Sequence, residues 1–291
     1  MKPASFDYHC PTTVAETVGL LRSLGSEAKL LAGGQSLVPL MNLRLARPGH
    51  LIDLNRVTDL VGVAESAGVL ELGALLCHRT LATHPTIASR LPLLAEAAGQ
   101  IGHPAIRGRG TLGGSLAHAD PAGELPTVAV ALDATLVATS ASATRLLPAD
   151  GFFTGPLSTI LAEDELLVSV RVPLAGPPGT QRCCGFAEFA RRRGDFALVL
   201  AAVVADIDPD GVCQAARIVI GAVAPQPWRC AVAEAELVGQ PFADDHLDRA
   251  AAAAMSACQP TADVHGSAAY RRALVGVIVG RALRQAREQV R

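Results

Sequence analysis

Apolar positions recur at two periods along this chain, and the change of period marks its elements. Thr13-Val14-Ala15-Glu16 reads as a capping box, and Val18, Leu20, Leu21 and Leu24 follow at helical spacing, which predicts a short helix ending near Gly25. Lys29 to Ala32 is a strand-like run stopped by Gly33-Gly34, and Leu51–Leu54 and Val69–Gly73 read as further strands. Leu91–Ala98 has helical spacing. Strands are expected again at Thr135–Thr139 and Leu166–Val172, with Val168, Val170 and Val172 on one face and Ser169 and Arg171 on the other. Pro173 to Gly179 holds five Pro or Gly in seven residues and is the expected domain boundary. Beyond it, Ala197–Ala205 and Ala216–Gly221 read as antiparallel strands around an Asp208-Pro209-Asp210-Gly211 turn, followed by helices near 245–257 and 267–287. Strands and helices are segregated, an α+β pattern, and no internal repeat of fixed period is present.

Composition narrows the class of function. With 291 residues, half of them hydrophobic and 18% charged, the chain can bury a large core, and its length suits about two domains. A net charge of −2, with no cationic tract beyond Arg191-Arg192-Arg193, leaves no footprint for nucleic acid. The seven cysteines have no repeated spacing and no C-x-x-C, so neither a disulfide framework, a zinc site nor an iron–sulfur cluster is expected on this chain. His84, His103 and His118 lack ligand spacing, and no metal is expected. No G-x-S-x-G elbow anchors hydrolase chemistry. The first ten residues lack an apolar h-region, and the run Ala197–Ala205 is about half of what a bilayer requires, so a soluble, cytoplasmic protein without a transmembrane segment is expected.

Two glycine-rich loops carry the chemistry. In Ala32-Gly33-Gly34-Gln35-Ser36-Leu37, adjacent glycines after a strand let successive backbone N–H groups face one concavity suited to phosphate oxygens, while Gln35 and Ser36 add neutral donors; a plain Gly-Gly turn is the competing interpretation. Arg107 to Ser115 packs four glycines, two cations and two hydroxyls into nine residues, with Ala117, His118, Asp120 and Glu124 close behind. Gly108–Gly113 matches G-x-G-x-x-G, and Asp133 lies twenty residues past Gly113. A dinucleotide fingerprint needs a strand leading in and a helix leading out. Both are expected to fail: Ile101–Ala105 is a poor strand, and Gly113, Gly114, Pro121 and Gly123 oppose a helix. Two separate loops wrapping one long phosphate-bearing cofactor is the reading that remains.

Ala32-Gly33-Gly34-Gln35-Ser36, Arg109-Gly110-Thr111-Leu112-Gly113-Gly114-Ser115 and Arg192-Arg193-Gly194-Asp195-Phe196-Ala197 closely resemble, in order and spacing, the FAD-binding medium subunit of molybdenum hydroxylases. This family includes the flavoprotein subunits of aerobic carbon monoxide dehydrogenase and quinoline oxidoreductase and corresponds to the flavin domain of xanthine dehydrogenase. The resemblance implies a two-subdomain FAD-binding domain of the vanillyl-alcohol-oxidase (PCMH) type over residues 1–175, divided near 55, and a smaller C-terminal α/β domain over 180–291. It implies FAD held by Ala32–Ser36 and Leu37 and by Arg109, Thr111, Gly113, Gly114, Ser115 and Ala117. Ile101, Asp120, Glu124, Leu167 and Glu188 would stand nearer the ring and the rim. Carbon monoxide dehydrogenase-like members carry lysine where this chain has Glu188, a glutamate shared with the quinoline branch, which favours an N-heteroaromatic substrate.

The resemblance further implies an electron-transfer role without catalytic side chains: electrons arrive from a small [2Fe–2S] subunit and leave to an external acceptor. A large molybdenum-pterin subunit oxidises the substrate, and the assembly is a dimer of heterotrimers. Two alternatives stand beside it: a self-sufficient NAD-dependent Rossmann dehydrogenase built on Gly108–Gly113, and a scaffold subunit without cofactor.

Overall fold

The computed structural model describes residues 2–290 and contains three principal sheets, each with its own helices. The first is parallel, with His50–Asp53 between Asp7–His9 and Ala28–Leu31. Helix Val14–Leu24 covers it, capped by the Thr13 hydroxyl, which accepts from Glu16 N at 3.1 Å. The Glu16 carboxylate reaches one residue further back than a capping box requires, to Thr12 N at 2.7 Å. Val18, Leu21, Ile52, Val57 and Leu60 form the small core between helix and sheet.

The second sheet is antiparallel, in the order Val63–Ser66, Val69–Gly73, Leu166–Pro173, Thr135–Thr139, Thr144–Pro148. Helices Pro92–Gln100, Leu112–His118 and Glu124–Ala131 are among those that fill its inner face. The expected alternation along Leu166–Val172 does not hold. The register shifts between Leu167 and Ser169, and such a bulge sends the following side chains to the opposite faces. Val170 and Val172 enter the second-sheet core, whereas Val168 packs against the first. Ser169 is buried and donates to Glu71 at 2.6 Å.

The third sheet orders Gln181–Phe189, Val199–Ile207, Cys213–Gly221 and Trp228–Arg229, all antiparallel. Strand Val199–Ile207 is buried throughout, which explains the unbroken apolar run read in the sequence. Val199, Ala201, Val203 and Ala205 pack with the helical side, where Asp244–Ala257 and Ala268–Arg287 lie, while Leu200, Ala202 and Val204 join the second-sheet core. Gln181–Phe189 is an edge strand whose outward backbone is met by side chains. Gln289 both accepts from Cys184 N at 3.0 Å and donates to Cys184 O at 2.7 Å, and Gln285 accepts from Phe186 N at 2.7 Å. The connecting segment 174–180 has no regular element. It is clamped by Arg182, which donates to Pro173 O at 3.1 Å and pairs with Asp206. No helix among the described residues is long and apolar enough to cross a membrane, and the seven cysteines are all free thiols.

Candidate cofactor cradle

Strand Ala28–Leu31 delivers the chain into the first glycine loop, and helix Leu37–Asn42 leads it away. Gly33 is buried where a Cβ would lie 2.1 Å from the Arg109 carbonyl oxygen and 2.8 Å from Gly110 Cα, so the two loops touch backbone to backbone. Gly34 takes φ +72°, the left-handed region that glycine enters without strain. Asn55 Nδ2 steadies the loop by donating to Ala32 O at 3.1 Å, and Gln35 Nε2 donates to Gly33 O at 3.0 Å. The amide N–H groups of Gly33, Gly34, Gln35, Ser36 and Leu37 meet no acceptor among the described residues. The Ser36 hydroxyl caps nothing. Half-buried, consecutive and unpaired, these donors suit an anion that would satisfy several at once.

The second loop directs its hydrogen bonds inward. Leu112 N donates to Leu76 O and Gly113 N to Ala74 O, while the Thr111 hydroxyl accepts from Gly114 N at 3.2 Å. Contrary to the expectation from sequence, a helix begins here, Leu112–His118, with Gly113 and Gly114 in its first turn. The propensity penalty is overridden by packing: Leu112 and Leu116 are buried, and Cβ atoms on Gly113 and Gly114 would lie 2.6 Å from Ala74 Cβ and 2.7 Å from Thr111 Oγ1. The other half of the fingerprint test fails as expected, because the helical turn Pro104–Arg107, not a strand, leads into the glycines. Ser115 is half-buried, and Arg109 and Ala117 are exposed. Arg109 acts on Asp53. Burial pushes that carboxyl up, but hydrogen bonds from Tyr8 and Asn55 and the Arg109 charge outweigh it and leave the group below the ordinary carboxylate range.

Beyond the second loop lies an acidic corner. Asp120 Oδ1 accepts from Ala122 N at 2.9 Å. Glu124 opens helix Glu124–Ala131 and is buried. Desolvation, with smaller contributions from Glu188 and Asp120, pushes its carboxyl up to about 8, against the pull of its own backbone N–H. Burial also raises Glu188, whose Oε2 is enclosed without a partner. Glu188 lines a cleft of about 250 Å³ with Gln100, Phe186, Ala187, Ala190, Arg192 and Arg193. Arg191, Arg192 and Arg193 are exposed and form no ion pair among the described residues. The third motif folds against the turn at Ile101: Gly194, at φ +86°, leaves room for the His103 ring, and Arg107 donates to Ile101 O and Gly102 O. Ile101 is half-buried against the second-sheet core, and Leu167 lies within that core at 5% exposure.

Three residues outside the glycine motifs belong to this architecture and escaped the sequence reading: Asp53, Asn55 and His78. Asp53 and Asn55 were open to discovery by position, at the end of the strand beside the first loop. The donors fit a pyrophosphate-bearing cofactor, with Arg109 supplying positive charge. No group of three or more His, Cys, Asp or Glu side chains is placed to hold a metal ion among the described residues.

Residues 4–175 match the family described as the FAD binding domain in molybdopterin dehydrogenase, and residues 185–286 match the CO dehydrogenase flavoprotein C-terminal domain. The chain is 42% identical over 286 residues to the carbon monoxide dehydrogenase medium chain of Hydrogenophaga pseudoflava, covering 98% of each. It is 42% identical over 291 residues to subunit alpha of the 6-hydroxypseudooxynicotine dehydrogenase complex of Paenarthrobacter nicotinovorans, covering 100% of this chain and 97% of that one. Its fold agrees with the solved quinoline 2-oxidoreductase of Pseudomonas putida 86 at a TM-score of 0.93 and 37% identity over 99% of both chains. Glycine loops, sheet order and these likenesses converge: the chain belongs to the FAD-binding medium subunits of the molybdenum hydroxylase family, the flavoprotein subunits of molybdenum-containing oxidoreductases.

Proposed function

We propose that this chain holds FAD between its two glycine loops and relays electrons from a small [2Fe–2S] subunit to an external acceptor, while a large molybdenum-pterin subunit oxidises the substrate. A dimer of such heterotrimers is the assembly. The row of unpaired donors from Gly33 to Leu37, begun where Gly33 lies against Arg109 and Gly110, carries the reading. When bound, FAD supplies the redox chemistry, and the chain supplies binding, orientation and field. Gly33–Leu37 would hold the pyrophosphate, with Thr111, Gly113, Gly114, Ser115 and Ala117 completing the cradle. Ile101 and Leu167 would offer apolar contact, and Asp120, Glu124 and Glu188 the polar rim. No side chain here needs to act as a general base.

Residues 1–55 and 56–175 are read as the subdomains of a PCMH-type domain, and 180–291 as the C-terminal domain. Glu188, whose carboxyl burial raises and whose Oε2 has no partner, stands where carbon monoxide dehydrogenase-like members carry lysine, at the polar rim of the cradle. With the likeness to quinoline 2-oxidoreductase it supports an N-heteroaromatic substrate for the assembled enzyme. Free thiols support a reducing, cytoplasmic setting. The decisive experiment is purification of the native complex with its cofactor and subunits read by mass spectrometry. Flavin absorption that bleaches with dithionite, together with two co-purifying partners, is expected; a colourless complex that cannot be reconstituted with FAD would overturn the proposal.

A further inference from the structure

We propose that His78 is a positioning residue that fixes the second glycine loop against the first, so that the cradle is assembled before FAD enters it. The inference rests on the FAD-binding reading for its consequence, but the loop contact it explains is visible without any cofactor. The segment Ala74–Cys77 runs beside the second loop as a short ladder, with Ala74 O and Leu76 O accepting from Gly113 N and Leu112 N and Cys77 bridging Thr111. His78 closes that ladder twice. Its backbone N–H donates to Gly110 O at 2.9 Å, and its ring Nε2 lies 3.1 Å from Thr111 O. A carbonyl only accepts, so Nε2 carries the proton and Nδ1 is the bare nitrogen.

That bare nitrogen is the telling detail. The ring is 5% exposed, and Nδ1 is buried with no partner. An orphaned acceptor in the interior is unfavourable, and a leucine would fill the same space without one. What a leucine lacks is the Nε2–H donated to Thr111. The ring also fixes where Gly110 can lie: a Cβ there would stand 2.7 Å from His78 Cε1 and 2.9 Å from Nδ1. Gly110 and Arg109 in turn are the atoms against which Gly33 rests. A continuous line of contact therefore runs from the His78 ring through Gly110 and Arg109 O to the first loop and its open donors. Desolvation, with the nearby Arg107 charge adding to it, holds the imidazole down at about 4 against the hydrogen bond to Thr111, so the neutral, donating form persists through ordinary pH.

Two substitutions separate positioning from packing. His78→Leu keeps apolar volume and removes the donor; His78→Gln places an amide nitrogen where Nε2 stands and restores it. Both variants and the parent, prepared as the native complex, are compared for FAD affinity by flavin fluorescence. Their FAD-depleted forms are compared for tryptic cleavage after Arg107 and Arg109, a readout that needs no cofactor. The expectation is on the order of tenfold weaker FAD binding and faster cleavage for His78→Leu, with His78→Gln close to the parent in both. Equal FAD affinity and cleavage in parent and His78→Leu would overturn the proposal, as would a His78→Gln protein no better than His78→Leu. Should His78→Leu fail to fold, His78→Gln alone decides: parent-like cleavage supports positioning by the donor, and an opened loop refutes it. A parent complex that binds no FAD, yet shows the cleavage pattern, would sink the functional reading and leave the loop contact standing.

Discussion

The two glycine loops share a composition and differ in where their hydrogen bonds go. The first leaves the N–H groups of Gly33 to Leu37 open, and its side-chain anchors are Asn55 on the Ala32 carbonyl and Gln35 on Gly33. The second is tied into the core by the Ala74–His78 ladder, by Leu112 and Leu116, and by its own Thr111 cap. Even the glycines serve different ends. Gly33 permits a neighbouring backbone to approach and Gly34 permits a left-handed turn, whereas Gly113 and Gly114 let a helix start flush against Ala74 and Thr111. The contrast separates a surface that reads a ligand from a scaffold that presents it.

The largest effect should come from paired glycine substitutions that set the two roles against each other. Gly33→Ala pushes a methyl into the Arg109 carbonyl, so the two loops must part; it should weaken FAD binding by roughly a hundredfold, more than its own cost in the unfolding of the FAD-free protein accounts for. Gly113→Ala drives its methyl into Ala74 and should do the reverse, costing about 2 kcal/mol of stability in urea unfolding before any FAD is added. Should both lose FAD only in proportion to stability, the division of roles is broken.

Glu124 tests the acidic corner behind the second loop. Its folded value is raised from 4.5 to about 8, so the stability held by the neutral carboxyl is fully present below 4.5 and is lost as pH rises through 8. Unfolding of the FAD-free protein should lose on the order of 3 kcal/mol between pH 5 and pH 8, and Glu124→Gln should flatten much of that slope. Parallel curves would mean the carboxyl is solvated. The smallest effects sharpen the comparison at its anchors. Asn55→Ala should weaken FAD binding by about fivefold, and Thr111→Val should remove about 1 kcal/mol of stability, each measured by titration and by melting.

Much of this was legible in the sequence. The Thr13 and Glu16 signature marked helix Val14–Leu24, the apolar run from Ala197 marked the central strand of the third sheet, and the glycines marked both loops. Periodicity could not show that Val199–Ile207 is enclosed from both sides, because an unbroken apolar run is silent about what covers each face. The bulge at Val168 defeated strict alternation, and helix Leu112–His118 defeated glycine propensity, in each case because contacts from distant segments decide the local form. Position at the end of the strand beside the first loop pointed to Asp53 and Asn55, but residue type alone did not, and His78 had neither signal. Asn55 and His78 meet backbone carbonyls of loops far away in the chain, and no residue type announces such a partner.

The edge strand Gln181–Phe189 has one further consequence. Gln285 and Gln289 answer its outward amides as a fifth strand would, with Gln289 both giving to and taking from Cys184. A sheet margin left open is a template on which a second molecule can add its own strand. The last turn of helix Ala268–Arg287 and the turn that follows it thus serve as a molecular selvedge: trimming both is expected to convert a finished border into a sticky one, with the shortened chain self-associating along the strand of Cys184 and Phe186 in size-exclusion chromatography.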